Sequence, residues 1–304
     1  MITHSVLSMR RIRSVFLAAV LALTSAVWVV VPAAASSPAT AGPMYYVALG
    51  DSLSVGWQPF PDEPRNPDGS IRSRPTDDGY PNQLFEILND KAPALQLVKF
   101  GCPGETTATM LRGGGYCTGA YQSGKQLTDA VAFIKAHPGQ IAYLSIDIGA
   151  NDVFKCVLES TIDQICFNGG LDGVKANLDE ILETLRQGIK DSGNSRVTKA
   201  AGMTYYNPTL AYWPVNPLLA TVSVGYQTQL NVTEAALYLR HGFRVAPVAS
   251  AFKTFDFRVP RGASKPTNVQ FICDHTWACK VGDIHANAAG YKRIADTFAQ
   301  TLRW

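Results

Sequence analysis

Short apolar runs alternate with longer amphipathic segments along the chain beyond residue 43. The apolar runs are rich in β-branched and aromatic residues, which is typical of buried strands. These predicted strands are MYYVALG, LQLVKFG, IAYLSIDIG, SRVTKAAGMTYY and FRVAPVA. The segments between and after them have the apolar spacing of helices. These predicted helices are YPNQLFEILND, QLTDAVAFIKAHPG, DGVKANLDEILETLRQGIKDSG, QTQLNVTEAALYLRHG and NAAGYKRIADTFAQTL.

This alternation predicts parallel βαβ units with helices on both faces of one sheet. We expect a single three-layer α/β/α domain over residues 44–304, with a flavodoxin-like, mostly parallel five-stranded sheet. Neither an internal repeat nor a shift in composition marks a second domain. Two connections, 57–79 and 207–222, are long for such a fold. The second is aromatic and apolar, which fits either a wall of an acyl-binding cleft or a packed loop.

The first 35 residues have the pattern of a secretory signal peptide. Arg10, Arg11 and Arg13 precede the apolar run SVFLAAVLALTSAVWVVV, and the small residues of 33–35 suit a signal peptidase. Residues 36–43 then form a flexible leader. The alternative is a retained membrane anchor, because the run approaches the roughly 18 residues that span a bilayer. Cleavage is the favoured interpretation, so we expect a secreted protein without stable membrane insertion.

Charge argues against a nucleic-acid partner. The net charge of +3 comes from 27 basic and 24 acidic residues, and residues 1–43 contribute three arginines and no Lys, Asp or Glu. The remaining chain therefore has 24 basic residues (27 minus 3) against 24 acidic ones, and it has no basic stripe. We expect a monomer whose partner is a small-molecule or lipid substrate.

Six cysteines follow the signal segment, and an even number in an exported chain indicates disulfides. Fifteen pairings are possible in principle, but the cysteines fall into three close pairs. We therefore predict the bridges Cys102–Cys117, Cys156–Cys166 and Cys273–Cys279. The chain has neither a Cys-x-x-Cys nor an HExxH motif, so no metal site is expected.

Residues with hydrolytic chemistry follow the predicted strands. Ligands of an open parallel sheet bind beyond the carboxyl ends of its strands. There the first strand leads into GDSLS, the second into GCPGETT and the third into GAND, while DIHANAAGY precedes the last helix. The set contains a serine hydroxyl, a glycine N–H, a side-chain amide and an imidazole. Acyl transfer needs such a nucleophile and base, with donors for the developing oxyanion.

These four blocks, in this order, resemble those of the SGNH (GDSL) hydrolase family, of the secreted bacterial esterase/lipase type. The resemblance extends from about residue 44 to 300. It implies Ser52 as the nucleophile and His285 as the general base. It also implies an oxyanion hole formed by the N–H groups of Ser52 and Gly104 and by the Asn151 side chain. No metal or organic cofactor is implied.

One position departs from the family pattern. The family usually has an acid three residues before the histidine, where this chain has Gly282. Asp283 lies two residues before His285, and either its carboxylate or a backbone carbonyl such as that of Gly282 orients the ring. We predict Asp283 as the third catalytic residue. Asp51 is expected to organise the turn by hydrogen bonds to backbone N–H groups.

The predicted function is a secreted serine esterase or lipase that acts through an acyl-enzyme. A carbohydrate acetylesterase of the same fold and a catalytically decayed binding protein are the alternatives. Aromatic side chains do not decide between lipid and sugar, because they can pack on acyl chains or stack on sugar rings. The residues concerned are Trp57, Tyr80, Tyr212 and Trp213.

Overall fold

Five apolar segments form a parallel sheet at the centre of the fold, in a computed structural model that describes residues 42–90, 94–158 and 160–303. Its strands are β1 (Met44–Gly50), β2 (Leu95–Lys99), β3 (Ile141–Asp147), β4 (Lys199–Met203) and β5 (Arg244–Ala246). Their spatial order is β2-β1-β3-β4-β5, and all neighbouring pairs are parallel. This is the flavodoxin-like order, and it confirms the predicted fold class. The predicted signal peptide, 1–35, and positions 36–41 of the leader lie outside the described residues.

Helices cover both faces of the sheet. Within the described ranges they are α1 (Tyr80–Asn89), α2 (Thr107–Arg112), α3 (Gln126–Ala136), α4 (Ala150–Phe154), α5 (Gln164–Asp191), α6 (Pro217–Arg240), α7 (Val248–Ala251), α8 (Thr267–His275), α9 (Ala278–Val281) and α10 (Ala288–Leu302). Short 3₁₀ helices span Thr118–Ala120, Asn194–Arg196 and Pro208–Tyr212. In one layer α5 packs between α3 and α6, and in the other α1 packs on α10. Stacking of Tyr80 on Phe298, with ring centroids 5.0 Å apart, joins α1 to α10.

The strand that leads into the predicted nucleophile ends at a glycine for a steric reason. Gly50 has a φ of +143°, and a Cβ there would collide with Asp147 on the neighbouring strand β3. The two residues are also register partners in the β1–β3 ladder. A larger residue would therefore push the following turn away from the sheet. The structure explains the apolar run that ends in Gly-Asp-Ser as a strand held tightly against its neighbour.

Two long helices begin earlier than the sequence pattern predicts. The apolar spacing places the start of α5 at residue 172, but the helix begins at Gln164, where the Asp163 side chain caps it. The apolar spacing does not extend into the first turns of α5, QICFNGG, because Gly170 stands where an apolar residue would be expected. A Cβ on Gly170 would lie 2.5 Å from the Asp152 carbonyl oxygen, so the glycine lets α5 approach α4.

Helix α6 begins ten residues before the predicted start, at Pro217 instead of 227. The Asn216 side chain caps it by accepting a hydrogen bond from the N–H of Leu219, and Pro217 occupies the first turn. The last six residues of the connection predicted at 207–222 are therefore helical. In the other long connection, 57–79, Gln58–Pro59 pairs antiparallel with Ser73–Arg74.

Candidate active site

Ser52 lies on a tight turn that its neighbours hold in place. Asp51 Oδ1 accepts a hydrogen bond from the N–H of Leu53 at 2.9 Å, and Ser54 Oγ donates to the Asp51 carbonyl oxygen at 2.7 Å. Ser54 is fully buried, whereas Ser52 remains 8 % exposed. The turn therefore presents the hydroxyl of Ser52, and not that of Ser54, to the space beyond the sheet. Asp51 organises the backbone, as its position in the motif predicts.

Two buried carboxyl groups, those of Asp51 and Asp147, support this turn. Asp51 Oδ2 accepts a hydrogen bond from the Tyr205 hydroxyl at 2.8 Å, and the Asp51 N–H donates to the Asp147 carbonyl oxygen at 3.0 Å. Tyr80 donates to Asp147 Oδ1 at 2.6 Å. Burial raises the pKa of Asp51, although its hydrogen bonds oppose the shift. Burial, and then the charge of Asp51, raise the pKa of Asp147 well above its usual range. The pair therefore retains a proton to higher pH than isolated carboxyl groups would.

Ser52, His285 and Asp283 form a continuous hydrogen-bonded line. His285 Nε2 lies 2.9 Å from Ser52 Oγ, and His285 Nδ1 lies 2.7 Å from Asp283 Oδ1. The same Asp283 oxygen accepts the backbone N–H of His285 at 2.9 Å. Gly282, at the end of α9, has a φ of +74°, a conformation that favours glycine. That turn allows an acid only two residues before the histidine to reach its ring.

The environment keeps Asp283 ionised. Burial by itself would raise the pKa of this carboxyl, but the hydrogen bond from His285 and its charge outweigh burial and lower it. The histidine segment is fixed by its own contacts. The Tyr206 hydroxyl donates to the Ile284 carbonyl oxygen at 2.8 Å, and the backbone N–H of Trp277 donates to the His285 carbonyl oxygen at 3.0 Å. Such an arrangement can take a proton from a serine and stabilise the resulting imidazolium.

The oxyanion-hole candidates lie at the ends of β2 and β3. Asn151, in the first turn of α4, lines the same cavity as Ser52 and His285. Its Nδ2 donates to the Glu105 carbonyl oxygen at 3.0 Å, so the loop that contains Gly104 is adjacent to it. Ser52 and Asn151 both line the cavity, whereas Gly104 is not among the described residues that line it.

Asp152, next in the chain, has a structural position. It accepts hydrogen bonds from the backbone N–H of Thr107 at 2.9 Å and from its hydroxyl at 2.7 Å. These two bonds tie the start of α4 to the start of α2. Asp152 thereby holds the loop after β2 beside Asn151.

An apolar cavity of about 70 Å³ opens beside Ser52. Its apolar lining includes Leu53, Val153, Phe167, Tyr206, Tyr226 and Leu230. The connection predicted at 207–222 contributes positions 207–209 to this wall, and Ser223 follows from α6. Tyr80 is fully buried in the core, so it cannot stack on a sugar.

Each of the three disulfides in the structure braces a loop of this site. Cys102–Cys117 closes the loop that contains Gly104, and Cys156–Cys166 closes a loop that lines the cavity. Cys273–Cys279 lies beside the bridge between Thr276 and Ala286 that holds the histidine segment. The bridges thus restrain three segments that contain or adjoin residues of the site.

Sequence reasoning did not identify Tyr205 and Asp147 as parts of the site. A signal exists for Asp147, since an acid near the end of the nearly continuous apolar run IAYLSIDIG is unusual for a buried strand. Tyr205 follows β4 at the same edge of the sheet. Its contact with a residue 154 positions away has no local signal.

The described residues contain neither a cluster of metal ligands nor a membrane-spanning helix. In residues 42–90, 94–158 and 160–303, no three His, Cys, Asp or Glu side chains are grouped as metal ligands would be. Over the same ranges, every helix is too short or too polar to cross a bilayer.

Comparison with known proteins identifies a family and structures with a similar fold. The family described as GDSL-like Lipase/Acylhydrolase matches residues 48–293. A lipase from a goat rumen metagenome is 16% identical, with a TM-score of 0.50 over 86% of this chain and 99% of that one. A candidate GDSL-like lipase from Parabacteroides merdae is 13% identical, with a TM-score of 0.50 over 86% and 96%. The extracellular lipase of Streptomyces rimosus is 17% identical, with a TM-score of 0.49 over 85% and 99%. No curated protein matches the sequence.

The layered α/β fold and the family match define a carboxylic ester hydrolase. Because the family match covers most of the chain, this protein belongs to the GDSL-like lipase/acylhydrolase family. The structures with TM-scores of 0.50 share its fold at identities too low to transfer a substrate.

Proposed function

We propose that this protein is a secreted serine esterase or lipase that hydrolyses carboxylic esters through an acyl-enzyme on Ser52. The observation that carries the proposal is the hydrogen-bonded line from Ser52 Oγ through His285 to Asp283, with distances of 2.9 and 2.7 Å. It ends at an apolar cavity lined by Ser52 and His285. A decayed binding protein would have no need for this alignment.

The first step is attack of Ser52 Oγ on the ester carbonyl carbon. Neutral His285, with its proton on Nδ1 and bonded to Asp283, accepts the serine proton at Nε2. The Asp283 carboxylate then stabilises the imidazolium and holds the ring in the required tautomer. His285 next donates that proton to the departing alcohol, which leaves the acyl group on Ser52. A water molecule that His285 deprotonates releases the acid and restores the serine.

The tetrahedral intermediates carry a negative oxygen that needs hydrogen-bond donors. We assign this role to the N–H groups of Ser52 and Gly104 and to Asn151 Nδ2. Such a donor can stabilise the transition state by about 3 kcal/mol. Asn151 Nδ2 bonds the Glu105 carbonyl oxygen in the structure, so the amide already has a fixed orientation. No metal or organic cofactor enters this reaction.

The apolar cavity favours an acyl chain as the group that lies next to Ser52. Most of the accessible surface of its lining is apolar, which suits an acyl chain better than a sugar. A chain-length series of p-nitrophenyl esters tests this assignment. Higher kcat/KM for acyl chains longer than acetate supports an esterase or lipase for acyl lipids. Activity restricted to acetate supports the carbohydrate acetylesterase instead.

Export to an oxidising compartment accounts for the three disulfides. Three disulfides suit an oxidising compartment, since cytosolic thiols are kept reduced. We assign residues 1–35 to a signal peptide, 36–43 to a leader and 44–304 to a catalytic domain that acts as a monomer. The intact mass of the exported protein tests the cleavage site. Alkylation without reduction tests the disulfides, because free thiols would contradict them.

The decisive experiment for the nucleophile is covalent labelling with a fluorophosphonate. Wild-type protein should be labelled on Ser52, and Ser52→Ala should not be labelled. Ser54→Ala is the matched control, because its buried hydroxyl lies in the same turn, and this variant should still be labelled. Absence of labelling on folded wild-type protein would refute the proposed activity.

A further inference from the structure

An uncharged stretch of the chain borders the cavity. Residues 200–233 contain no Asp, Glu, Lys, Arg or His. In the whole sequence, Asp, Glu, Lys and Arg together make up 17% of the residues. This stretch supplies the cavity wall from Tyr205 to Leu230. The part that faces solvent also contains apolar side chains. Val215 is 80% exposed, Leu218 73% and Val222 45%.

A second segment with exposed apolar side chains adjoins the first. In the loop closed by Cys156–Cys166, Leu158 is 48% exposed and Ile165 87%. Asn216 Nδ2 donates to the Ser160 carbonyl oxygen at 3.3 Å, which joins this loop to the start of α6. The two segments therefore form one surface, which we call the apolar rim. It consists of Leu158, Ile165, Val215, Leu218 and Val222.

Spacing along α6 places its part of the rim on one side of the helix. Positions 218, 222 and 226 are four residues apart within α6, so they follow one another along the same face, and Val215 lies just before the start of the helix. Tyr226, the innermost of them, lines the cavity and contacts Phe167 with ring centroids 4.7 Å apart. The exposed face of α6 therefore continues directly into the cavity wall.

The disulfide loop has the same relation to the cavity. Val157 and Phe167 line the cavity, and each is adjacent or nearly adjacent in sequence to a residue of the rim. A hydrogen bond from the Leu158 N–H to the Thr161 carbonyl oxygen, at 2.8 Å, closes the tip of the loop. The rim therefore adjoins the cavity wall on both the α6 side and the disulfide-loop side.

We propose that the apolar rim docks on the surface of an aggregated, uncharged or zwitterionic lipid ester, from which an acyl chain enters the cavity. This inference rests on the proposed function of the same site. A single dissolved ester fills the cavity and leaves the rim in water, whereas an aggregate covers both. Contiguous exposed apolar surface on a soluble chain marks an interaction site.

Charge decides which kind of lipid surface fits. The 200–233 stretch carries no basic residue, and the sequence of the disulfide loop contains Glu159 and Asp163 but no Lys or Arg. Attraction to an anionic surface requires clustered basic residues. The rim therefore suits a neutral or zwitterionic surface, and adding anionic lipid should not increase binding.

Vesicle binding tests the rim without any requirement for activity. The probe is sedimentation of the protein with dioleoylphosphatidylcholine vesicles, using Ser52→Ala to prevent hydrolysis. Adding Ile165→Ser and Leu218→Ser should lower the partition coefficient by about tenfold or more, because two exposed apolar side chains are lost. The matched control adds Val232→Ser and Leu239→Ser, which are 62% and 66% exposed on α6 outside the rim. The control should bind as Ser52→Ala does.

Kinetics separate this inference from the proposed function. With Ser52 intact, the rim variant should hydrolyse dissolved p-nitrophenyl acetate at the wild-type rate and lose about tenfold of its activity on an emulsified long-chain ester. Wild-type protein that is inactive on the dissolved ester would refute the proposed function, while the vesicle experiment would still decide on the rim.

Three results would contradict the proposal that the apolar rim docks on a lipid surface. These are equal vesicle binding by rim and control variants, binding that requires anionic lipid, and a wild-type dimer that the rim variant dissociates. The last would identify a second copy of the chain as the occupant. If the double variant does not fold, Ile165→Ser alone supplies the same comparison, because that side chain is 87% exposed.

Discussion

Tyr205 donates its hydroxyl to Asp51 Oδ2 at 2.8 Å, and this bond joins the end of β4 to the turn that contains Ser52. Both residues are buried. Asp51 uses its other carboxyl oxygen to hold the N–H of Leu53. The tyrosine therefore fixes the carboxyl group that shapes the nucleophile turn.

Removing this hydroxyl should destabilise the fold and disturb the turn. Tyr205→Phe leaves a buried carboxyl oxygen without its partner, which costs about 1–3 kcal/mol. For a chain of this size we expect a fall in Tm of roughly 2–10 °C, together with a lower kcat. Tyr212→Phe is the control, because Tyr212 is 40% exposed. Differential scanning calorimetry and ester kinetics measure both effects, and an unchanged Tm would contradict the assignment.

The contact between Asp283 and His285 predicts a large effect of Asp283→Asn. The amide cannot stabilise the imidazolium as a carboxylate does, and it can favour the wrong tautomer, so kcat should fall by up to about 10⁴-fold. The reaction with p-nitrophenyl acetate measures the loss. Asp274→Asn changes an exposed acid nearby and should have no effect. Nearly full turnover in Asp283→Asn would instead assign ring orientation to a backbone carbonyl, such as that of Gly282.

Asn151→Ala should affect the transition state more than substrate binding. Loss of one side-chain donor from an oxyanion hole costs about 10²- to 10³-fold in kcat, while KM should change little. Steady-state kinetics on a short ester separate the two constants. Asn82→Ala removes a surface amide on α1, away from the cavity, and serves as the control. A raised KM with unchanged kcat would show that Asn151 binds the ground state instead.

Glu234 predicts an unusual dependence of stability on pH. Within the described part of the chain, neither of its carboxyl oxygens has a hydrogen-bond partner. Burial, and then the charges of Asp51 and Asp152, raise its pKa well above the ordinary 4.5. The folded protein therefore keeps a proton that the unfolded chain loses as pH rises above 4.5. Over that window the contribution of Glu234 to stability should fall by about 1.4 kcal/mol per pH unit, until pH reaches the pKa that Glu234 has in the folded state.

Glu234→Gln removes this proton linkage. The variant should be relatively more stable at pH 8 than at pH 4, and thermal unfolding at several pH values measures the difference in Tm. Glu183→Gln is the comparison, since the hydrogen bond from Arg186 lowers the pKa of that exposed carboxyl. Its smaller effect should have the opposite sign. A Tm difference for Glu234→Gln that does not grow with pH would contradict the buried, protonated state.

Much of the fold follows from local pattern. Strand β1 has the limits that its apolar run predicts, 44–50, because a parallel strand buried on both faces needs a nearly continuous apolar sequence. The order of strands and helices follows for the same reason. The first residues of α5 and α6 do not follow from the apolar pattern. Capping side chains and close glycine contacts determine where these helices begin, and such features produce no apolar periodicity.

The amino-acid sequence by itself determined the family, the four blocks of the site and the close cysteine pairs, since each is a short pattern of neighbouring residues. Tertiary structure decided which acid lies beside His285, because two-residue spacing suffices only with the turn that Gly282 makes. It also decided that Tyr205 supports Asp51, that Glu234 is buried with no hydrogen-bond partner among the described residues, and that two distant segments meet as the apolar rim. These contacts depend on strand order and helix packing, which bring together residues far apart along the chain.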